Sequence, residues 1–96
     1  MSAAKQIQSL SLYHYQSCPF CMVTRKAIDN SNLEVELRDI QRQSEHRSEL
    51  IKQGGRPQVP CLRIETANGK THWLYESSAI IQLVRQLNEV STAQSA

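Results

Sequence analysis

The chain has 96 residues, with 11 Lys and Arg against 9 Asp and Glu, for a formal charge of +2. That length supports one hydrophobic core but not two of independent stability, so a single domain over residues 1–96 is expected, with its core at about 8–90. The near-balanced charge excludes the one-signed surface that nucleic acid or an anionic membrane selects, and no run approaches the ~18 apolar residues of a membrane span. MSAAKQIQSLSL lacks the apolar stretch of a signal peptide, so a cytoplasmic location is expected. Three cysteines in a reducing compartment make no disulfide framework, and the odd count leaves one outside any internal pair.

In chain order, IQSLSLYHY alternates Ile7, Leu10 and Leu12 with polar neighbours and predicts a strand. From Pro19 to about Asn30, PFCMVTRKAIDN places Met22, Val23 and Ala27, with Phe20, at helical spacing. Proline stands early in that helix, where its missing N–H costs no hydrogen bond, and Cys18 therefore falls at or beside the N-cap. LEVELRDI alternates Leu33, Val35 and Leu37 against charges and predicts a second strand, joined to the first by a right-handed parallel crossover. Ser44 is expected to cap a short polar helix, SEHRSELIKQ, with Leu50 and Ile51 facing inward and Gly54 and Gly55 ending it. VPCLRIET and THWLYE flank the Asn-Gly pair of ANGK and predict a β-hairpin, whose Trp73 and Leu74 pack on the sheet or a helix. Finally, SSAIIQLVRQLNEV carries Ile80, Val84 and Leu87 on one face behind a Ser77 or Ser78 cap, and the polar tail STAQSA is expected to fray. The predicted order is β-α-β-α-β-β-α, an α/β domain with a four-stranded mixed sheet flanked by helices.

Cys18 and Cys21, separated by two residues, admit three uses: a staple, half a metal site, or a couple that exchanges electrons with other thiols. A thiolate, not a thiol, attacks a disulfide, and a free cysteine ionises only near pH ~8.5. The unpaired amides and positive end of a helix N-terminus favour the anion, and Cys18 has that position. Cys21 lies on the same side of the first turn but further into the helix, placed to resolve a mixed disulfide on Cys18. A tetrahedral zinc site would need Cys61 and a histidine, yet His14, His46 and His72 show no paired spacing, so no metal is expected. Cys61 follows Pro60 in a strand and is expected to be buried as a small apolar residue.

A CxxC at the first strand-to-helix junction of this topology resembles the thioredoxin fold, and more closely its glutaredoxin branch, over roughly residues 8–90. GGRPQVPCL and LYESSAII extend the resemblance. In glutaredoxins a Val-Pro opening the third strand has a cis peptide bond, with the valine backbone beside the active thiol; here these are Val59 and Pro60. A Glu-Ser before the last helix, shared with glutathione transferase N-terminal domains, receives the γ-glutamyl end of glutathione; here these are Glu76 and Ser77. The resemblance implies that Val59 pairs with glutathione's cysteine in the manner of an added strand. It also implies that the Ser77 and Ser78 N–H groups hold a carboxylate while Glu76 meets the ammonium. Phe20 would wall the site where many relatives carry tyrosine, and Arg56, with Gln58 a weaker candidate, would meet the glycine carboxylate. One position departs from the pattern. Many glutaredoxins have a lysine three residues before the first active cysteine, where this chain has Tyr15 preceded by His14. The missing ammonium removes a charge that stabilises the thiolate. A protonated His14 would supply part of it, but at an exposed strand end it is expected to meet only solvent.

The resulting expectation is a monomeric, glutathione-dependent thiol-disulfide oxidoreductase that reduces protein disulfides or glutathione mixed disulfides, with Cys18 attacking and Cys21 resolving. No nucleotide-binding loop is present, so glutathione rather than a flavin enzyme is the expected reductant. The alternative is an iron-sulfur carrier, with Cys18 of two chains and two glutathiones as ligands; Pro19 stiffens the loop against that role. A fragment of a transferase would need a helical second domain to hold its electrophile.

Overall fold

A computed structural model of the chain describes residues 7–95, without the side chains from 89 onward, so the polar leader expected at 1–6 lies outside the described residues. Strand β1 (Ile7–His14) is buried continuously from Leu10 to His14, because both faces of the sheet are covered there. Leu10 and Leu12 point into one core with Ile28, Leu62, Ile80, Val84 and Leu87. Tyr13 points into the other, with Ile40, Leu50, Cys61 and Tyr75. The polar residues Ser11 and His14, on opposite faces of the strand, are therefore buried as well, unlike those of a strand with one wet face.

The sheet has the order β2-β1-β3-β4. Strand β2 (Glu36–Asp39) runs parallel to β1, with His14 opposite Asp39. Strand β3 (Cys61–Thr66) is antiparallel to β1, with Tyr13 opposite Cys61, and β4 (Thr71–Leu74) returns beside β3 through a turn in which Gly69 has φ 86°. Left-handed backbone at that position is what the Asn-Gly pair is suited to supply. As an edge strand, β2 is short: Leu33 and Val35 reach the core, but Leu37 remains exposed.

Helix α1 (Pro19–Asp29) buries Cys21, Thr24 and Ile28, not the Met22 and Val23 expected from their hydrophobicity; those two and Phe20 face outward. Its phase is set from its start. With Cys18 as N-cap, Cys21 turns inward, and Ile28 recurs seven residues later on the same stripe. Thr24 is the polar residue on that stripe, and its hydroxyl is satisfied by donating to the Phe20 carbonyl at 2.8 Å. Helix α1 packs beside α3 (Ser77–Ser95), which presents Ile80, Val84 and Leu87 as expected and continues as helix through the segment expected to fray.

Helix α2 (Ser44–Glu49) and a π-helical turn, Leu50–Gly54, cover the opposite face. Ser44 is the first helical residue, not the cap: Asp39 accepts hydrogen bonds from the Gln41 and Arg42 amides at 2.9 and 3.1 Å, and that turn places Gln43 at the N-cap without a side-chain bond. The wide turn keeps Leu50 inward and swings Ile51 outward, where it is 37% exposed. Arg38 and Glu49 tie this face together through the buried Tyr13 hydroxyl, which accepts from Arg38 at 2.6 Å and donates to Glu49 at 3.1 Å.

Gly54 sits where the π-helical turn meets Trp73 and Tyr75. A Cβ there would lie 2.9 Å from Trp73 Cε3 and closer still to the Tyr75 hydroxyl. Gly54→Ala is expected to lower stability by about 1–3 kcal/mol through overpacking. A reduced denaturation midpoint with an unchanged m-value would show this, and an unchanged midpoint would mean that the turn is not packed as described.

Candidate active site

Cys18 follows the buried end of β1 and opens α1 with extended backbone, φ −75° and ψ 119°. Its carbonyl accepts the Met22 amide at 2.9 Å, its sulfur accepts the Cys21 amide at 3.4 Å, and its own amide donates to the Tyr15 carbonyl at 3.3 Å. The sulfur is more enclosed than a freely solvated thiol: Cys18 is 5% exposed and Cys21 is fully buried. Burial pushes the Cys18 pKa up. Hydrogen bonds from the Cys21 side chain and amide, the Phe20 amide and the Tyr15 hydroxyl outweigh it, and the net shift is downward. Burial pushes Cys21 up to about 12, and its contacts with Cys18 add to the rise. Two free thiols three residues apart thus differ sharply in acidity, and Cys18 ionises first.

Tyr15, at the position of the missing lysine, brings a hydroxyl in place of an ammonium to the sulfur. The Cys18 charge raises the Tyr15 pKa, which keeps that hydroxyl protonated and able to donate. His14 does not supply the missing charge. It is 2% exposed rather than at a wet strand end, and its pKa is lowered by burial and by Arg25, against a smaller opposing effect of Asp39. Arg25 Nη1 lies 3.0 Å from His14 Nδ1 and also donates to the Tyr15 carbonyl, while Nη2 donates to that of Gln16. Sequence reasoning passed over Arg25. The available signal was its spacing, four residues after Cys21, which puts a cation beside the buried stripe of α1.

A cavity of about 250 Å³ is lined by Phe20, by Gln58, Val59 and Pro60, and by Tyr75 through Ser78. Of the residues expected to bind glutathione, Phe20, Val59, Pro60, Glu76 and Ser77 thus share one cavity, and the Val59–Pro60 peptide bond is cis. The Glu76 carbonyl accepts the Ile80 amide at 2.9 Å, so Glu76 occupies the cap position of α3, and Ser77 and Ser78 are its first helical residues. Amides at those positions have no intrahelical acceptor. Arg56 is not part of the lining. Its guanidinium lies 4.6 Å from the centre of the Tyr75 ring, and the Tyr75 hydroxyl accepts from its amide at 3.3 Å and donates to its carbonyl at 3.2 Å. Tyr75, also passed over in the sequence, therefore joins the Arg56 loop to the cavity wall.

Cys61 is fully buried, and burial pushes its pKa up to about 12, so it keeps its proton. Among the described residues, no group of three or more His, Cys, Asp or Glu is placed to hold a metal ion. A larger groove, about 660 Å³ and lined by Leu10, Ile28 and Leu33 among others, opens along the N-terminal half of β1. It contains no thiol, so volume alone does not mark the site.

A family model described as glutathione S-transferase, N-terminal domain, matches residues 12–92. Among solved structures, the chain is similar to maleylacetoacetate isomerase from Anaeromyxobacter dehalogenans with glutathione bound in its active site. The TM-score is 0.65 at 27% identity, over 88% of this chain but only 39% of the isomerase. It is also similar to a thioredoxin-like protein, with TM-score 0.62 at 19% identity over 78% of this chain and 99% of that one. A glutaredoxin from Brucella melitensis matches with TM-score 0.54 at 14% identity, over 91% of this chain and 88% of that one. These last two share the fold alone. Among curated proteins, no sequence matches the chain. The fold is thioredoxin-like, as the order of elements predicted.

The buried, neutral His14 has a consequence for acid stability. Its folded pKa lies below the ordinary 6.5, so the unfolded chain takes up a proton first as pH falls. Stability from this group is complete above pH 6.5 and is lost as pH drops toward the folded pKa, with a slope of up to ~1.4 kcal/mol per pH unit. Denaturation midpoints measured across that range should decline in the wild type and decline less in His14→Asn. Equal slopes in the two proteins would contradict a buried neutral imidazole.

Proposed function

The chain belongs to the glutathione S-transferase N-terminal-domain family, and on that premise we propose that it is a glutathione-dependent thiol-disulfide oxidoreductase of the glutaredoxin type. The observation that carries the proposal is the placement of Cys18 at the N-cap of α1, where its sulfur accepts the Cys21 amide at 3.4 Å, with the Cys21 thiol fully buried behind it. A thiolate that forms readily beside a thiol that keeps its proton is the arrangement a disulfide-exchange nucleophile and its resolver need.

In the reaction, the Cys18 thiolate attacks one sulfur of a protein disulfide or of a glutathione mixed disulfide. A new S–S bond forms to Cys18, the old one breaks, and the departing sulfur leaves as a thiolate that takes a proton from water. Two exits follow. Cys21 gives up its proton and attacks the Cys18 sulfur, which releases the reduced partner and leaves a Cys18–Cys21 disulfide for two glutathiones to reduce. Alternatively, a glutathione thiolate resolves the mixed disulfide directly. Once Cys18 is bonded it is no longer an anion, so its contribution to the high Cys21 pKa disappears while burial remains. That residual burial favours the glutathione exit. In the glutathione exit, where the partner sulfur is attacked, Cys18 leaves well because its thiolate is the more stable one.

Glutathione would occupy the cavity beside Phe20. There Glu76 meets its ammonium, the first amides of α3 meet its γ-glutamyl carboxylate, and the Val59 backbone meets its cysteine. Arg56 would reach the glycine carboxylate by moving off the Tyr75 ring. Partners would be protein disulfides or glutathionylated proteins. No helix among the described residues is long and apolar enough to cross a membrane.

A glutathione-coupled disulfide reduction assay on Cys18→Ser and Cys21→Ser tests the role of each thiol. Cys18→Ser is expected to fall to background. Cys21→Ser is expected to keep reducing glutathione mixed disulfides and to accumulate one glutathione on Cys18. Activity surviving in Cys18→Ser but lost in Cys21→Ser would reverse the assignment.

A further inference from the structure

Arg25 takes no part in the steps above, yet its guanidinium contacts three successive residues on the way to the nucleophile, His14, Tyr15 and Gln16. Nη1 lies 3.0 Å from His14 Nδ1 and donates to the Tyr15 carbonyl at 3.2 Å, and Nη2 donates to the Gln16 carbonyl at 3.3 Å. The three acceptors belong to the last residue of β1 and the first two residues of the segment that links it to Cys18. One side chain of α1 thus ties the helix back onto the turn that delivers its own N-cap. The planar guanidinium suits this work, since it offers several N–H groups in fixed directions, whereas an ammonium offers a point charge on a flexible stem. His14 has to be neutral to accept, because a protonated imidazole has no lone pair for Arg25. The Tyr15 carbonyl also accepts the Cys18 amide at 3.3 Å, so Arg25 and the nucleophile's own backbone share an acceptor.

We propose that Arg25 is a positioning residue for the nucleophile: by strapping the Tyr15–Gln16 turn to α1, it holds the Tyr15 carbonyl on the Cys18 amide and, with it, the Tyr15 side chain beside the Cys18 sulfur. Arg25 then acts through Tyr15 and not through its charge. A cation that merely lay near the thiols would be replaceable by lysine, and a strap would not. The proposal rests on Cys18 being the attacking thiol but not on glutathione, which enters neither the geometry nor the test.

The test is a double-mutant cycle in the full chain: Arg25→Lys and Arg25→Gln, each with and without Tyr15→Phe. Two quantities are read. One is the ionisation of Cys18, from the pH dependence of its alkylation by iodoacetamide, resolved for each cysteine by mass spectrometry. The other is hydrogen exchange at the Cys18 amide. With Tyr15 in place, both Arg25 substitutions are expected to raise the Cys18 pKa by about one unit, which is about tenfold less thiolate at a given pH below it. The Cys18 amide should exchange faster while amides of the β1–β3 ladder do not. In the Tyr15→Phe background the same substitutions should change the thiolate fraction by less than about threefold, since coupled residues are non-additive. A wild-type pKa in Arg25→Lys would show that charge alone suffices, and equal shifts in both backgrounds would show that Arg25 does not act through Tyr15; either overturns the proposal. Should Arg25→Gln fail to fold, Arg25→Lys keeps the charge and the stem, and its cycle with Tyr15→Phe decides the matter alone. If wild-type Cys18 itself ionises no more readily than an ordinary thiol, the proposed function fails with it. A normal wild-type result with unmoved Arg25 variants sinks only the strap.

Discussion

Two opposed effects meet at the Cys18 sulfur. Enclosure by the protein raises the cost of charging it, and hydrogen bonds from the first turn of α1 and from Tyr15 lower that cost by more. The rest of the molecule can be understood as what keeps this balance in place. The turn that carries Cys18 must leave β1 in one direction only, and β1 is fixed because both of its faces are buried and both of its edges are paired. Three residues later the same enclosure outweighs the opposing effects of the Tyr15 backbone and Arg25 on Cys21, which is why two chemically identical groups end with different acidities. Helix geometry supplies donors to the first cysteine and takes the second into the interior.

The two cores contribute differently. The one between the sheet and helices α1 and α3 is aliphatic and sets the phase of α1 through Ile28, hence the inward direction of Cys21. The other is aromatic and polar, built around Tyr13, Trp73 and Tyr75. Tyr13 and Trp73 lie with ring centres 5.5 Å apart, and Arg38 sits 5.4 Å from the centre of the Tyr13 ring. This second core carries the Gly54–Arg56 segment and, through Tyr75, connects it to the start of α3. The nucleophile thus depends mainly on the aliphatic side, and the cavity proposed for glutathione mainly on the aromatic one. Substitutions in the two cores should separate effects on thiol chemistry from effects on ligand affinity.

Much of this could be read from the residues alone. The alternation of Leu10 and Leu12, the Asn-Gly turn and the stripe of Ile80, Val84 and Leu87 are local patterns, and each produced its element. The cap position of Cys18 followed from Pro19. What failed did so where a local pattern was overruled from a distance. Met22 and Val23 are apolar, but the cap and Ile28 fix the helix phase and leave both outside. His14 reads as a strand-end residue until α1 supplies Arg25 behind it. Ser44 reads as a cap until the Asp39 turn shifts the start of α2 by one residue. Phe20, Val59, Pro60, Glu76 and Ser77 were nameable from motifs scattered along the chain, but Tyr75 and Arg25 act through backbone groups of other segments, and no motif records that.

The central claim is that Cys18 is the most acidic of the three cysteines, ionising below the ordinary thiol range while Cys21 and Cys61 keep their protons. Following thiolate absorbance in the ultraviolet from acid to strong base tests it most directly. The account predicts one thiolate forming below the ordinary thiol range, removed by Cys18→Ser, with the other two appearing only near pH 12. A first thiolate that survives Cys18→Ser, or three that form together near pH ~8.5, would contradict it.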